Sequence, residues 1–214
     1  MFLNVLIRIR SQVLKETNRL WASHDIEANC NLNGRDRMGG YVHFSPSGPA
    51  ESQRESLYSL IFGNEELRLL VSSIVGAAVH PSDFPIELRQ YGAESRGMGC
   101  HADIQMYKEL KTNFELVLTV SNLGKCEVYW YDRANVRHSV WPEPNSLTIV
   151  HPASVVHCVG PTQGGVREML KFIMVGSYGK SKSFYDYVDN QCDSSNSNVK
   201  ALQKRRATAE NDEL

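Results

Sequence analysis

The spacing of hydrophobic and polar residues changes along the chain. From Met1 to about Trp21, apolar residues recur every three or four positions, which predicts an amphipathic helix that packs on a core. Residues 29–50 are rich in Gly, Asn, Ser and Pro and predict a long loop with a short strand over Tyr41–Phe44. Two more helices are expected, over about Ser52–Phe62 and Glu65–His80. The N-terminal third is therefore predicted to be mainly helical.

After Pro85 the pattern is that of short strands. Between Phe114 and Ser121, for example, apolar residues occupy every second position, the period that is typical of a strand. Six or more short strands behind a helical N-terminal part predict an α+β, mainly β fold: a jelly roll or cupin-like barrel braced by helices. The predicted strands are Glu87–Tyr91, Phe114–Ser121, Cys126–Tyr131, Ser146–His151, Val155–Val159 and Glu168–Ser177.

The 214 residues are expected to form one domain with three segments. Residues 1–84 would supply the bracing helices and loop, and residues 85–180 the barrel core. Residues 181–214 would be a polar, mobile tail. With 42% hydrophobic residues the chain has enough apolar material for a substantial core, which excludes a wholly disordered protein.

Charge and cysteine content exclude several functional classes. A formal net charge of -1 leaves no global basic field for nucleic acid, and no apolar run approaches the roughly 20 residues of a membrane span. Five cysteines without a CxxC pair argue against a zinc ribbon and a dense disulfide scaffold. Two of them, Cys100 and Cys158, are expected to be buried core thiols.

The cellular location is predicted from the two ends of the chain. The first residues are a poor secretory signal, which makes the cytoplasm the default. The last four residues, Asn211-Asp-Glu-Leu214, are similar to an ER-retention tetrapeptide, which makes the ER lumen the alternative.

The motif that carries chemistry is His101-Ala-Asp103, which follows a glycine-rich turn. Residues two apart on an extended chain share a face, so the imidazole and the carboxylate can converge on one point. His157, 56 residues further on, would complete two histidines and one carboxylate, the ligand set of non-haem iron(II) oxygenases. His151 faces the same side as His157 by parity and is the alternative distal ligand.

Arg167 follows His157 by ten residues, across a Gly-Gly turn. On the next strand it would point inward as a cation, and a buried arginine needs an anionic partner. A bidentate salt bridge to the carboxylate of a cosubstrate is the predicted role. Lys171 is the alternative cation, and an ordinary strand-surface position is the alternative for Arg167.

Taken together, these residues resemble the iron(II)/2-oxoglutarate-dependent oxygenase superfamily, and within it the prolyl-hydroxylase-like branch. The resemblance covers about residues 85–178 and adds Tyr91, ten residues before the first histidine. It implies a double-stranded β-helix in which His101, Asp103 and His157 hold Fe(II). It also implies that Arg167 and Tyr91 bind the distal carboxylate of 2-oxoglutarate, with O2 as oxidant and ascorbate as a supporting reductant.

The chain departs from the prolyl-hydroxylase pattern at two places. The segment Lys125–Trp130 lacks a preceding Gly-Gly, and Met169 stands where a polar residue is familiar. Asp103 is kept, whereas halogenating members of the superfamily replace that carboxylate, so oxygen insertion or oxidative rearrangement is favoured.

The implied function is hydrogen abstraction from an unactivated C–H bond of a small polar, amino-acid-like substrate, with release of succinate and CO2. Hydroxylation, desaturation and oxidative cyclisation are all compatible with it. The alternatives are a peptidyl-prolyl hydroxylase that acts on protein chains and a non-catalytic cupin-like binding or sensing module. The candidate substrate residues are Arg96, in the turn before the iron motif, and then Tyr107 and Trp130.

Overall fold

A computed structural model describes residues 57–189 of the chain together with residues 12, 13, 15, 27, 28 and 38–42. In this part of the chain strands predominate and helices are few, which confirms the mainly β expectation. Residues 12, 13 and 15 are helical, but the rest of the predicted N-terminal helix lies outside the described residues. Residues 57–61 are helical as well, within the range predicted for the second helix.

Helix α1 (Glu65–Val75) has both of its ends determined by local chemistry. The side chain of Asn64 accepts a hydrogen bond from the backbone N–H of Leu67 at 3.0 Å and caps the first turn. Gly76 has a φ of 70°, in the left-handed region that glycine tolerates, and its N–H donates to the carbonyl of Ser72. The helix is therefore shorter than the predicted range, which extended to His80.

Seven strands form the major sheet, in which all pairings are antiparallel. Six of them lie side by side, and the seventh, which is short, pairs with the end of one of the six. In spatial order the six are β1 (Glu27–Ala28), β2 (Met38–Val42), β4 (Ile86–Tyr91), β11 (Arg167–Val175), β6 (Asn113–Asn122) and β9 (Leu147–Val150), and β3 is His80–Pro81.

Four shorter strands form the minor sheet, again with antiparallel pairing. Two of these strands were not predicted, because neither Met-Gly-Cys-His nor Arg-His-Ser-Val shows an apolar alternation. In spatial order the strands are β5 (Met98–His101), β10 (His157–Val159), β7 (Val128–Tyr131) and β8 (Arg137–Val140).

The two faces of the major sheet have different surroundings. Leu116 on β6 and Leu170 and Phe172 on β11 pack in the main core cluster with residues of α1 and of the 57–61 helical segment. Residues of the opposite parity, such as Val117 and Lys171, line a cavity between the sheets. The polar positions of the alternating pattern therefore face the cavity and its surroundings, because the minor sheet lies on that side.

Helix α2 (Lys182–Asp189) follows the major sheet, where a polar tail from residue 181 was predicted. Its Phe184 is 1% exposed and packs edge-to-face against Phe84 and Tyr107. An aromatic side chain with such packing anchors the segment to the core. Residues 190–214 lie outside the described part. No helix among the described residues is long and apolar enough to cross a membrane.

Candidate metal and cosubstrate site

A cavity of about 510 Å³, including the solvent at its mouth, lies between the two sheets. Both sheets contribute to its wall: His101 and His157 come from the minor sheet, and Arg167 and Lys171 from the major sheet. A cavity with apolar walls and a few convergent polar groups is the usual form of a small-molecule site. The charged side chains divide this cavity into a histidine-carboxylate end and an arginine end.

The histidine-carboxylate end brings His101, Asp103 and His157 together. One donor atom from each residue lies within 4.8 Å of the others. The Nε2 atom of His157 is 3.5 Å from Oδ2 of Asp103, and that of His101 is 3.9 Å from Oδ1. The two imidazole rings have centroids 4.5 Å apart because their residues are register partners on β5 and β10. Two imidazoles and one carboxylate converging in this way fit a divalent first-row metal ion such as Fe(II).

Backbone carbonyls orient the two imidazole rings. Nδ1 of His101 lies 2.9 Å from the carbonyl oxygen of Gly99, which can only accept, so Nδ1 carries the proton and Nε2 keeps its lone pair. His157 has a longer contact of the same kind with Val155, at 3.5 Å. Burial lowers the pKa of His101 and so favours the neutral imidazole that a metal ligand requires.

Asp103 is held from two sides. Its backbone carbonyl accepts a hydrogen bond from Ala153 in the β9–β10 loop at 3.1 Å, and its Oδ1 accepts one from Nζ of Lys171, also at 3.1 Å. Burial alone would raise the pKa of Asp103, but the charge and hydrogen bond of Lys171 together with the two nearby histidines outweigh it and lower the pKa. The carboxylate is therefore ionised at neutral pH, as a metal ligand must be.

Arg167 occupies the other end of the cavity. It is 2% exposed, it stands opposite Tyr91 in the β4–β11 register, and its guanidinium carbon is 5.9 Å from the Tyr91 ring. Among the residues that the structure describes, its Nη1 donates only to the Sγ atom of Cys126, at 3.9 Å, and its Nε has no hydrogen-bond partner. In the same set of residues, the Tyr91 hydroxyl has one contact, with the thioether of Met98 at 3.8 Å.

Within the described residues, Arg167 has no ion pair with a carboxylate. A buried guanidinium with an unsatisfied N–H costs free energy unless an anion binds there. The arginine end of the cavity therefore fits a carboxylate-bearing ligand.

The two cysteines beside the histidines form a disulfide, and the expectation of two buried core thiols was wrong. Cys100 and Cys158 are bonded, with their Cα atoms 4.1 Å apart. Cys158 is fully buried whereas Cys100 is exposed. His101 and His157 are register partners on antiparallel strands. Cys100, which precedes His101, and Cys158, which follows His157, therefore meet on the opposite face of the sheet.

The alternative distal ligand, His151, is not part of the cluster formed by His101, Asp103 and His157. Its ring packs edge-to-face on Phe114 at 5.6 Å, and Phe114 belongs to the main core cluster. His151 precedes the turn that ends β9, so strand parity does not continue from it to His157. The turn between them explains why parity alone left both histidines as candidates.

The three candidate substrate residues have different positions. Tyr107 is fully buried, its hydroxyl donates to Asp83 at 2.7 Å, and it does not line the cavity. Arg96 is exposed in the turn between β4 and β5 and is not among the lining residues. Trp130 is half-buried and does not line the cavity either; it shares a face of the minor sheet with its register partner His157 and stacks on His138 at 5.6 Å.

Sequence reasoning missed two buried carboxylates, Glu115 and Glu87, which lie near the cluster of His101, Asp103 and His157. Glu115 is 2% exposed and forms an ion pair with Lys171, while Glu87 pairs with Arg89, a residue of the cavity wall. Burial raises the pKa of Glu115 to about 7. The available signal was parity: these charged residues alternate with core residues on strands that are covered on both faces.

Comparisons with known proteins identify the fold. No family model and no curated protein matches the chain. It is similar to a prolyl-4-hydroxylase of Pseudomonas putida, with 18% identity, coverage of 79% of this chain and 86% of that one, and a TM-score of 0.54. It is also similar to an oxidoreductase of the 2OG-Fe(II) oxygenase family from Burkholderia pseudomallei, with 13% identity, coverage of 68% of this chain and 71% of that one, and a TM-score of 0.52.

For the epimerase SnoN in complex with Fe3+, alpha ketoglutarate and nogalamycin RO, the identity is 14%, the coverage 78% of this chain and 74% of that one, and the TM-score 0.57. The expected resemblance to 2-oxoglutarate/iron(II) oxygenases, prolyl hydroxylases included, is thereby confirmed at the level of the fold. This chain has the fold of the 2-oxoglutarate/iron(II) oxygenases.

Proposed function

We propose that this protein is an iron(II)/2-oxoglutarate-dependent oxygenase built on a double-stranded β-helix. Fe(II) is held by His101, Asp103 and His157, and the distal carboxylate of 2-oxoglutarate by Arg167 and the Tyr91 hydroxyl. The observation that carries the proposal is Arg167, a buried cation with an unpartnered Nε in the same cavity as the three converging ligands. A buried cation and a metal-competent group in one small cavity suit a chelating dicarboxylate.

The bound metal supplies activation of dioxygen, coupled to conversion of 2-oxoglutarate into succinate and CO2 and of a substrate C–H into an oxidised product. The chain's own residues bind and orient. Lys171 holds the Asp103 carboxylate at 3.1 Å, and the carbonyl of Gly99 holds the His101 ring at 2.9 Å. Apolar residues of both sheets, Val117 and Val128 among them, line the cavity and limit the water near the reacting groups.

The substrate is a small polar, amino-acid-like molecule that undergoes hydroxylation, desaturation or oxidative cyclisation. The position of the site in a concave cavity between the two sheets supports a small molecule. Trp130 pairs with His157 in the minor sheet but does not line the cavity, so a contact between Trp130 and the substrate stays a prediction. Arg96 stays a prediction for a substrate carboxylate.

The compartment that fits the disulfide is an oxidising one, because thiols in the cytosol are kept reduced and rarely form lasting disulfides. The Cys100–Cys158 bond therefore favours the ER lumen over the cytoplasm. Mass measurement of the protein from its native source, with free thiols blocked before reduction, tests this. Blocked Cys100 and Cys158 in that material would return the prediction to the cytoplasm.

The function is tested by incubating purified protein with Fe(II), 2-oxoglutarate, ascorbate and O2 and measuring succinate. We expect slow succinate formation without substrate, and a rise when a library of amino acids and their derivatives is added. A rise only with prolyl peptides would identify a peptidyl-prolyl hydroxylase. Absence of iron-dependent succinate in all arms, with folded protein, would instead identify a binding or sensing module.

A further inference from the structure

Lys171 is the cation nearest to the proposed metal ligands, and both of its partners are carboxylates. Its Nζ donates to Oδ1 of Asp103 at 3.1 Å and forms an ion pair with Glu115. The side chain of Lys171 is 18% exposed and those of Asp103 and Glu115 are 9% and 2% exposed. A charge-assisted contact at such low exposure is directional and strong.

The contact gives the two oxygens of Asp103 different surroundings. Oδ1 accepts from Lys171 and lies 3.9 Å from Nε2 of His101, whereas Oδ2 lies 3.5 Å from Nε2 of His157. Rotation of the carboxylate about its Cβ–Cγ bond would break the Lys171 contact. The lysine in turn is held by Glu115, which projects from β6 beside β11.

We propose that Lys171, anchored by Glu115, is a positioning residue that fixes the orientation of the Asp103 carboxylate, holding Oδ1 and leaving Oδ2 directed at His157. The inference rests on the proposed metal site and concerns how that site is held. Lys171 thus differs in role from Arg167, which lies on the same face of β11 four residues earlier and faces the cosubstrate end.

The direction of the effect on metal affinity separates positioning from simple electrostatics. Lys171 is a positive charge beside a cation site, so a lysine that acted only through its charge would weaken metal binding. Its replacement by a neutral residue would then tighten the site. A positioning lysine predicts the opposite, since loss of an outer partner of a ligand typically costs about 10- to 100-fold in metal affinity.

The experiment is calorimetric titration of Mn(II) alone into Lys171→Met, Lys171→Arg and Glu115→Gln at pH 8, above the pKa of Glu115. We expect Lys171→Met to weaken Mn(II) binding by about tenfold or more and Lys171→Arg to restore much of it. At saturating Mn(II), the affinity of Lys171→Met for 2-oxoglutarate should stay within about threefold of wild type, because Arg167 is intact. Unchanged or tighter Mn(II) binding by Lys171→Met would overturn the proposal.

Lys180→Met is the matched control. Lys180 is 16% exposed and forms an ion pair with Asp83 away from the cavity, so its loss should lower stability without changing Mn(II) affinity. An equal loss of Mn(II) affinity in this variant would assign the Lys171 effect to general destabilisation and overturn the proposal.

The double variant Lys171→Met/Glu115→Gln tests whether Glu115 acts through the lysine, and it also serves if Lys171→Met does not fold. It removes both charges of the pair and should bind Mn(II) as weakly as Lys171→Met alone. Fully additive effects would overturn the anchoring role of Glu115. His101→Ala lacks one proposed ligand and gives the Mn(II) titration signal expected when no site is present. If the wild-type titration matches that of His101→Ala, the proposed metal site itself is rejected.

Discussion

The two sheets that enclose the cavity differ in how they are supported. The major sheet has strands of up to ten residues, and one of its faces is covered by the main hydrophobic core. The minor sheet has strands of three or four residues, and most of the side chains on these strands are half-buried or exposed. The major sheet carries Arg167 and Lys171, whereas the minor sheet carries both histidines.

This difference means that the two histidines proposed as metal ligands lie on the less supported sheet. The pairing of β5 with β10 is irregular between His157 and Val159, where ladder contacts are lost. The disulfide joins the two strands at that point and replaces part of the missing support. We therefore expect the placement of the two histidines to depend on the minor sheet, and both the anchoring of Asp103 by Lys171 and cosubstrate affinity to depend on the major sheet.

The largest effect is expected from breaking the histidine end. His101→Ala should abolish detectable metal binding and iron-dependent succinate formation, because two ligands are too few to retain the ion, while the thermal unfolding midpoint changes little. Metal content and succinate are measured on the same preparation. His151→Ala, which removes the neighbouring histidine packed on Phe114, should retain metal, and loss of metal there would reverse the ligand assignment.

Arg167→Ala breaks the arginine end and should have the next largest effect. Removing one partner of a buried charged pair costs about 3–5 kcal/mol, so the 2-oxoglutarate concentration needed should rise about 10²-fold or more. Mn(II) affinity measured without cosubstrate should stay near wild type, because the proposed metal ligands lie at the other end of the cavity. A normal 2-oxoglutarate requirement in this variant would move the role to another cation.

The disulfide variant Cys100→Ser/Cys158→Ser should have an intermediate effect. Opening a crosslink between residues 58 apart in sequence should lower the free energy of unfolding by about 2–4 kcal/mol. Mn(II) affinity should fall several-fold, and 2-oxoglutarate affinity at saturating metal should not change. Reduced wild type should behave like the variant; if both bind Mn(II) as tightly as the oxidised protein, the minor sheet holds its histidines without the bond.

The smallest effect concerns Glu115 and pH. Burial raises its pKa to about 7 from an ordinary value near 4.5, so the folded state retains the proton longer than the unfolded state. Stability is therefore lost as pH rises from about 4.5 to about 7, by about 1–3 kcal/mol from this group. Urea unfolding of metal-free protein across this range should show a shallower decline in Glu115→Gln than in wild type; equal declines would contradict the raised pKa.

Much of the β architecture was predictable because strand parity is a local property. The alternation over Phe114–Ser121 identified a strand that the structure extends to Asn113–Asn122. Strands Met98–His101 and Arg137–Val140 were missed because their side chains are largely exposed and carry no apolar period. The helix at Lys182–Asp189 was missed because the segment is polar apart from the aromatic residues that anchor it.

By itself the sequence determined the chemical types at the site: a His-x-Asp pair, a distal histidine and an arginine ten residues later. Spacing along a strand is local, so these needed no knowledge of the fold. The tertiary structure decided which groups meet across strands. It set His157 rather than His151 beside Asp103, joined Cys100 to Cys158, and put Lys171 between two carboxylates. Such contacts depend on the register between strands far apart in sequence, and strand register is set by packing of the whole sheet.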